Sequence, residues 1–107
     1  MSNSSDIINL YKSIERIEQG SSIDHTVGAF PKIKRNFLFL ILQEYYRNFE
    51  NQNQILKKYI SNKTPKGIVV LLKISLTLLF FSEKPDHAIV NDTVEASKVL
   101  KKEKLVN

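Results

Sequence analysis

A chain of 107 residues with 42% hydrophobic side chains has room for one domain and one modest core, and is too apolar to stay disordered. The net charge of +5 comes with no cysteine at all, which excludes disulfides, thiolate metal sites and a cysteine nucleophile. The opening "MSNSSDIINLYKS" lacks the basic region and apolar block of a signal peptide, so a reducing, cytoplasmic setting is expected.

Ser4 or Ser5 caps a first helix whose apolar face is Ile7, Leu10 or Tyr11, Ile14 and Ile17, with Gly20 as its stop. "SSIDHTVGAF" has space for one further turn before Pro31. A long helix follows over about 32–49, with Ile33, Phe37, Leu40, Ile41 and Tyr45 at helical spacing. The polar "ENQNQ" reads as a break or bend, after which Ile55, Leu56, Tyr59 and Ile60 suggest a shorter amphipathic helix. Thr64 as cap and Pro65 at the first position then open a helix that runs to about Phe81. Its apolar run 67–81 is shorter than the roughly 20 residues that a membrane span needs, and Lys73 sits in its middle, so it is expected to be a buried core helix. The last helix begins near Pro85 and fades into "KKEKLVN". The expectation is a compact all-α bundle of five to six helices in a single domain, with no membrane association.

The charge is unevenly placed. Residues 1–31 carry a net −2, residues 32–73 a net +7, and residues 74–107 balance. Lys32, Lys34 and Arg35 open the long helix and Arg47 closes it, while Lys57, Lys58, Lys63 and Lys66 follow; with Lys73 these are the candidate contacts for a polyanionic partner such as a nucleic acid. Tyr45, Tyr46 and Tyr59 are interleaved with them and suit stacking on unpaired bases. The plain alternative, core tyrosines and a solvated lysine face, stays open beside it. Signals for catalysis are lacking: the three glycines are isolated, and His25 and His87 stand far apart with no ligand spacing to a partner. No catalytic residue, no metal ligand and no cofactor is expected in this chain.

The stretch "PDHAIVNDTVEASK" carries a resemblance. It is similar to the late helix of the NusB-like RNA-binding domains, typically P-x-H-A-A-V-N-E-A-V-E-L-A-K, with Pro85, His87, Ala88, Val90, Asn91, Val94, Glu95 and Lys98 in register. "LKISLTLLFF" resembles the family's preceding L-R-L-G-x-x-Q-L-L-F helix, with Lys73 in the arginine place. "RNFLFLILQEYYR" resembles R-x-F-x-x-x-L-V-x-G-x-x-R, keeping Arg35, Phe37 and Arg47. "LVN" (105–107) looks like the F-V-N that opens the final helix, so that Asn91 and Asn107 occupy matching places in two successive helix openings. Asn91, set inside an apolar stripe, is then expected to tie its helix to a neighbouring loop.

The resemblance implies a NusB-like bundle that binds RNA, ribosomal RNA in particular. Two branches of the family compete. One is the non-catalytic N-terminal domain of the 16S rRNA cytosine-5 methyltransferases (the Sun or Fmu group), whose S-adenosylmethionine would belong to a further domain. The other is the antitermination factors, which bind RNA with a ribosomal-protein partner. A first helix with only Lys12 and Arg16 as its cations, followed by "EQGSSID", is closer to the methyltransferase branch. From a different class stands a helical protein-interaction module without RNA. Family members continue through a full helix after F-V-N. The resemblance therefore also implies that the last helix is missing, leaving apolar surface on 67–81 and 86–101 open to self-association.

Overall fold

The computed structural model describes residues 4–102, and the expected role of Asn107 lies outside them. Six helices follow one another: α1 (Ser4–Glu18), α2 (Ile23–Val27), α3 (Lys32–Arg47), α4 (Phe49–Leu56), α5 (Lys66–Phe81) and α6 (Asp86–Lys102). The fold is all-α, as the periodicity predicts, and no strand occurs among the described residues.

α5 is the pivot. Its sequence "KGIVVLLKISLTLLFF" has almost no polar stripe, so it must be covered on several sides at once. α1, α3, α4 and α6 all pack against it. Leu71, Ile74 and Leu78 meet Leu10 and Ile14 of α1, Leu38 and Leu42 of α3, and Ile89, Ala96 and Leu100 of α6 in one continuous core. Gly20 turns the chain between α1 and α2 at φ 114°, a left-handed conformation natural to glycine, with open space where a Cβ would stand.

Three readings of the sequence are corrected here. On α3 the buried positions are Leu38, Ile41, Leu42 and Tyr45, whereas Ile33 is 90% and Leu40 59% exposed. The true face is turned away from Ile33, because Phe37 and Phe39 flank the core on either side of Leu38. Second, "ENQNQ" is helical. The break falls one residue before α4, at Asn48 (φ −104°, ψ 16°), whose Nδ2 (2.8 Å) and backbone N–H (3.0 Å) both donate to the Glu44 carbonyl. Residues 57–65 are turns and not a helix. Third, Pro65 is the N-cap residue of α5, and the Thr64 hydroxyl accepts instead from the Ser61 amide (3.2 Å).

The asparagine of α6 also differs from expectation. The inward stripe is Ile89, Thr93, Ala96 and Leu100, spaced four, three and four. Thr93 holds it by a hydroxyl pair with Ser75 of α5 (2.7 Å), its Oγ1 also bonding the Ile89 carbonyl (2.7 Å). Asn91 lies on the outer side with Val90 and Val94, is exposed, and its side chain makes no hydrogen bond among the described residues. It does not tie α6 to a neighbour. Pro85 and His87 are exposed beside the helix start, Ala88 is half-buried and Glu95 is exposed.

The α3 correction has a measurable consequence. Leu38→Ala should cost about 2–5 kcal/mol of stability and Ile33→Ala less than about 0.5 kcal/mol, read from urea unfolding midpoints. Comparable losses at both positions would contradict the observed orientation of α3.

Candidate nucleic-acid interface

The cations of residues 32–73 separate into two groups by what each one touches. The first group is engaged within the fold. Lys34 Nζ lies 3.2 Å from Asp6 of α1, and Lys84 reaches the other oxygen of the same carboxylate, also at 3.2 Å. Asp6 therefore joins α1, α3 and the turn before α6. Arg35 donates from Nε to the Phe30 carbonyl (2.9 Å) and from Nη2 to the Gly28 carbonyl (3.1 Å), closing the turn that leads into its own helix. Arg47 pairs with Glu44 at 2.7 Å, one turn back along α3.

Lys73 is the furthest from the role its sequence position suggests. It is 4% exposed, and its ammonium lies 3.5 Å from the centroid of the Phe49 ring. Burial pushes its pKa below the ordinary 10.5, and the negative charges of Glu50 and Glu18 offset part of that. A group so covered does not present its charge to a phosphate.

The second group is free. Lys32, Lys57, Lys58, Lys63 and Lys66 are exposed and form no ion pair among the described residues. Lys57, Lys58 and Lys63 stand on the connection from α4 to α5, and Lys66 is the first residue of α5. The chain has no Asp or Glu between Glu50 and Glu83, so this connection has no acid of its own to neutralise it. Tyr59, 80% exposed, projects from the middle of it. The other two tyrosines are structural. Tyr45 is buried, edge-on to Tyr46 with ring centroids 5.0 Å apart, and the Tyr46 hydroxyl donates to Glu18 (3.1 Å). Desolvation first, and Glu18 second, raise both phenol pKa values well above 10.0.

What sequence reasoning missed is the seam between α4 and α5. Phe49 covers Lys73, and Gln52 Nε2 donates to Thr77 Oγ1 at 2.7 Å, both groups buried. The available signal was the spacing of Phe49, Gln52 and Leu56, at i, i+3 and i+7, which marks one helix face through the amide-rich stretch. Among the described residues no group of three or more His, Asp or Glu side chains is placed to hold a metal, and no helix is long and apolar enough to cross a membrane.

Comparison with known proteins gives one match. The model of the NusB family covers residues 6–107. Neither the curated proteins nor the solved structures provide a match.

The buried charges set opposite pH responses. Below 10.5 the unfolded chain keeps its proton on the lysine where the folded chain releases it, so stability rises with pH over the window from the lowered Lys73 pKa up to 10.5. Above 10.0 the unfolded chain loses phenolic protons that Tyr45 and Tyr46 retain when folded, so stability falls there. Lys73→Met should abolish the rise and keep the fall, with stability at neutral pH equal or higher. Urea unfolding across about pH 7 to 11 checks this; a rise that persists in the variant would show that Lys73 is not its source.

Proposed function

The chain belongs to the NusB family, and from that premise we propose that it is an RNA-binding domain whose phosphate contacts centre on the connection between α4 and α5. The observation that carries this reading is the set Lys57, Lys58, Lys63 and Lys66. All four are exposed and unpaired among the described residues, in a segment with no carboxylate of its own. Phosphate contacts supply most of the affinity of such domains, and only cations not already neutralised by the protein can supply them. Tyr59 stands among them as a ring able to stack on an unpaired base. Lys32 adds a fifth free charge at the start of α3. Lys34, Arg35 and Arg47 contribute field and not direct contact, since each is committed to a partner within the fold.

In finer detail, we propose that the domain serves the methyltransferase branch, positioning ribosomal RNA for chemistry carried out elsewhere. Support comes from α1, which has only Lys12 and Arg16 as cations among "SSDIINLYKSIERIE" and turns much of its surface inward through Ile7, Leu10, Tyr11 and Ile14. A strongly basic first helix, useful for holding RNA in an antitermination complex, is not what this sequence provides. Specific capture of a small ribosomal protein together with RNA would move the assignment to the antitermination branch.

Replacing Lys57, Lys58, Lys63 and Lys66 together by Gln should weaken binding of an rRNA fragment by about tenfold or more. The slope of log affinity against log salt should flatten by about 0.7 for each lysine that holds a single-strand phosphate. Lys34→Gln with Arg35→Gln should instead lower stability by about 0.5–1.5 kcal/mol and change the salt slope little. Fluorescence anisotropy across a salt series measures the first and urea unfolding the second. The reverse pattern would place the RNA on α3.

A further inference from the structure

Beside the lysine-rich connection lies a groove between α4 and the C-terminal end of α5, about 460 Å³ in volume. That is within the range of roughly 300–1,000 Å³ typical of small-molecule sites. One wall is aromatic: Phe80 is 65% and Phe81 47% exposed, and the two rings sit 6.4 Å apart at 58°, so they do not stack on each other. The other wall is made of amides from α4, with Ile55 between them. No carboxylate among the described residues lines it.

The amide that forms part of this wall has an unmet hydrogen bond. The Thr77 hydroxyl gives its proton to the Lys73 carbonyl (2.8 Å), so its oxygen can only accept from Gln52. Gln52 must therefore turn its NH₂ towards Thr77, and its Oε1 is left buried without a hydrogen-bond partner. A buried acceptor of this kind calls for a hydrogen-bond donor. The side chains of Asn51 and Gln54, also in the groove, make no hydrogen bond among the described residues either. An apolar helix from a protein partner would cover the rings but bring no donor, since its own N–H groups are spent within the helix. A nucleobase brings both a π-face and, on its edge, amino or imide N–H groups.

We propose that this groove binds one unpaired nucleobase of an RNA strand, stacked on Phe80 or Phe81 and held at its edge by the amides of Asn51, Gln52 and Gln54. The assignment rests on the RNA-binding reading above and adds to it the place where a base is taken up. Lys57 and Lys58 follow Ile55 of the groove within three residues, so the phosphates flanking the bound base run onto the free lysines.

The test uses the full chain and oligoribonucleotides of about 12 nucleotides, within single-strand site sizes. One set carries bases and one is an abasic ribose-phosphate chain of equal length. The wild type should bind the base-bearing strand at least about tenfold more tightly than the abasic one, and Phe80→Ala with Phe81→Ala should reduce that preference to within about twofold. The salt slope of the double variant should stay that of the wild type, while Lys57→Gln with Lys58→Gln flattens the slope and keeps the preference. Because both rings are largely exposed, the aromatic variant should keep its melting temperature. Equal binding of both strands by the wild type, or a preference that survives loss of the rings, overturns the base site and leaves phosphate binding standing. Failure to bind either strand overturns both readings. If ring removal changes only sedimentation behaviour, the groove is a contact between copies of the chain and the proposal is wrong.

Discussion

A helix without a polar side is a demand placed on everything around it. α5 is apolar on nearly every face, and it carries two groups, Lys73 and Thr77, that cannot be buried without compensation. Three long helices supply most of the apolar cover. α4 supplies the remainder: Phe49 lies over the lysine head and Gln52 bonds the threonine hydroxyl. The eight residues of α4 are too few to hold a helix in isolation. The polar seam with α5 therefore explains both why α4 is helical and why it lies where it does. Residues 57–65 must then return from the end of α4 to the start of α5, and that return is what exposes the lysines and Tyr59.

The chain's charge excess conceals a division among its cations. Lys34, Arg35 and Arg47 are spent on carboxylates and carbonyls that shape α3 and its approach, and Lys73 is withdrawn into the interior. Counting positive residues along the chain overstates the binding surface, because a charge already answered by the protein has little left for a polyanion. The tyrosines divide in the same way, with two holding the bundle and one offered to solvent.

How much of this was legible in the sequence depended on how local the deciding contact was. α1 and the span of α5 followed from periodicity and from Gly20 and Pro65, all signals within a few residues. The face of α3 was read correctly at Phe37, Ile41 and Tyr45 but wrongly at Ile33 and Leu40, which extend a plausible stripe; only packing against α1 and α5 shows that they point outward. α4 was read as a bend because its amides are polar in isolation; their partner is on another helix, 25 residues further on. The position of the basic region was visible from composition. Its sorting was not, because Asp6 stands 28 residues from Lys34 and 78 from Lys84. Asn91 was misjudged for the converse reason: a sequence motif was taken as a contact, and the stripe that does the packing is one of Ile89, Thr93, Ala96 and Leu100.

The Asp6 junction also bears on the order in which the fold can assemble. α1 is synthesised first, yet it packs extensively on α6, and the carboxylate at its start waits for an ammonium 78 residues away. Chains emerge at roughly 5–20 residues per second, so several seconds pass between the two halves of that contact leaving the ribosome. During that interval Ile7, Leu10 and Ile14 have only α2 and α3, and later α5, to cover them. Closure is therefore late and non-local, in a protein whose helices otherwise form from short-range contacts. A nascent chain stalled before α6 would present an uncovered apolar strip on α1, the kind of surface that chaperones recognise.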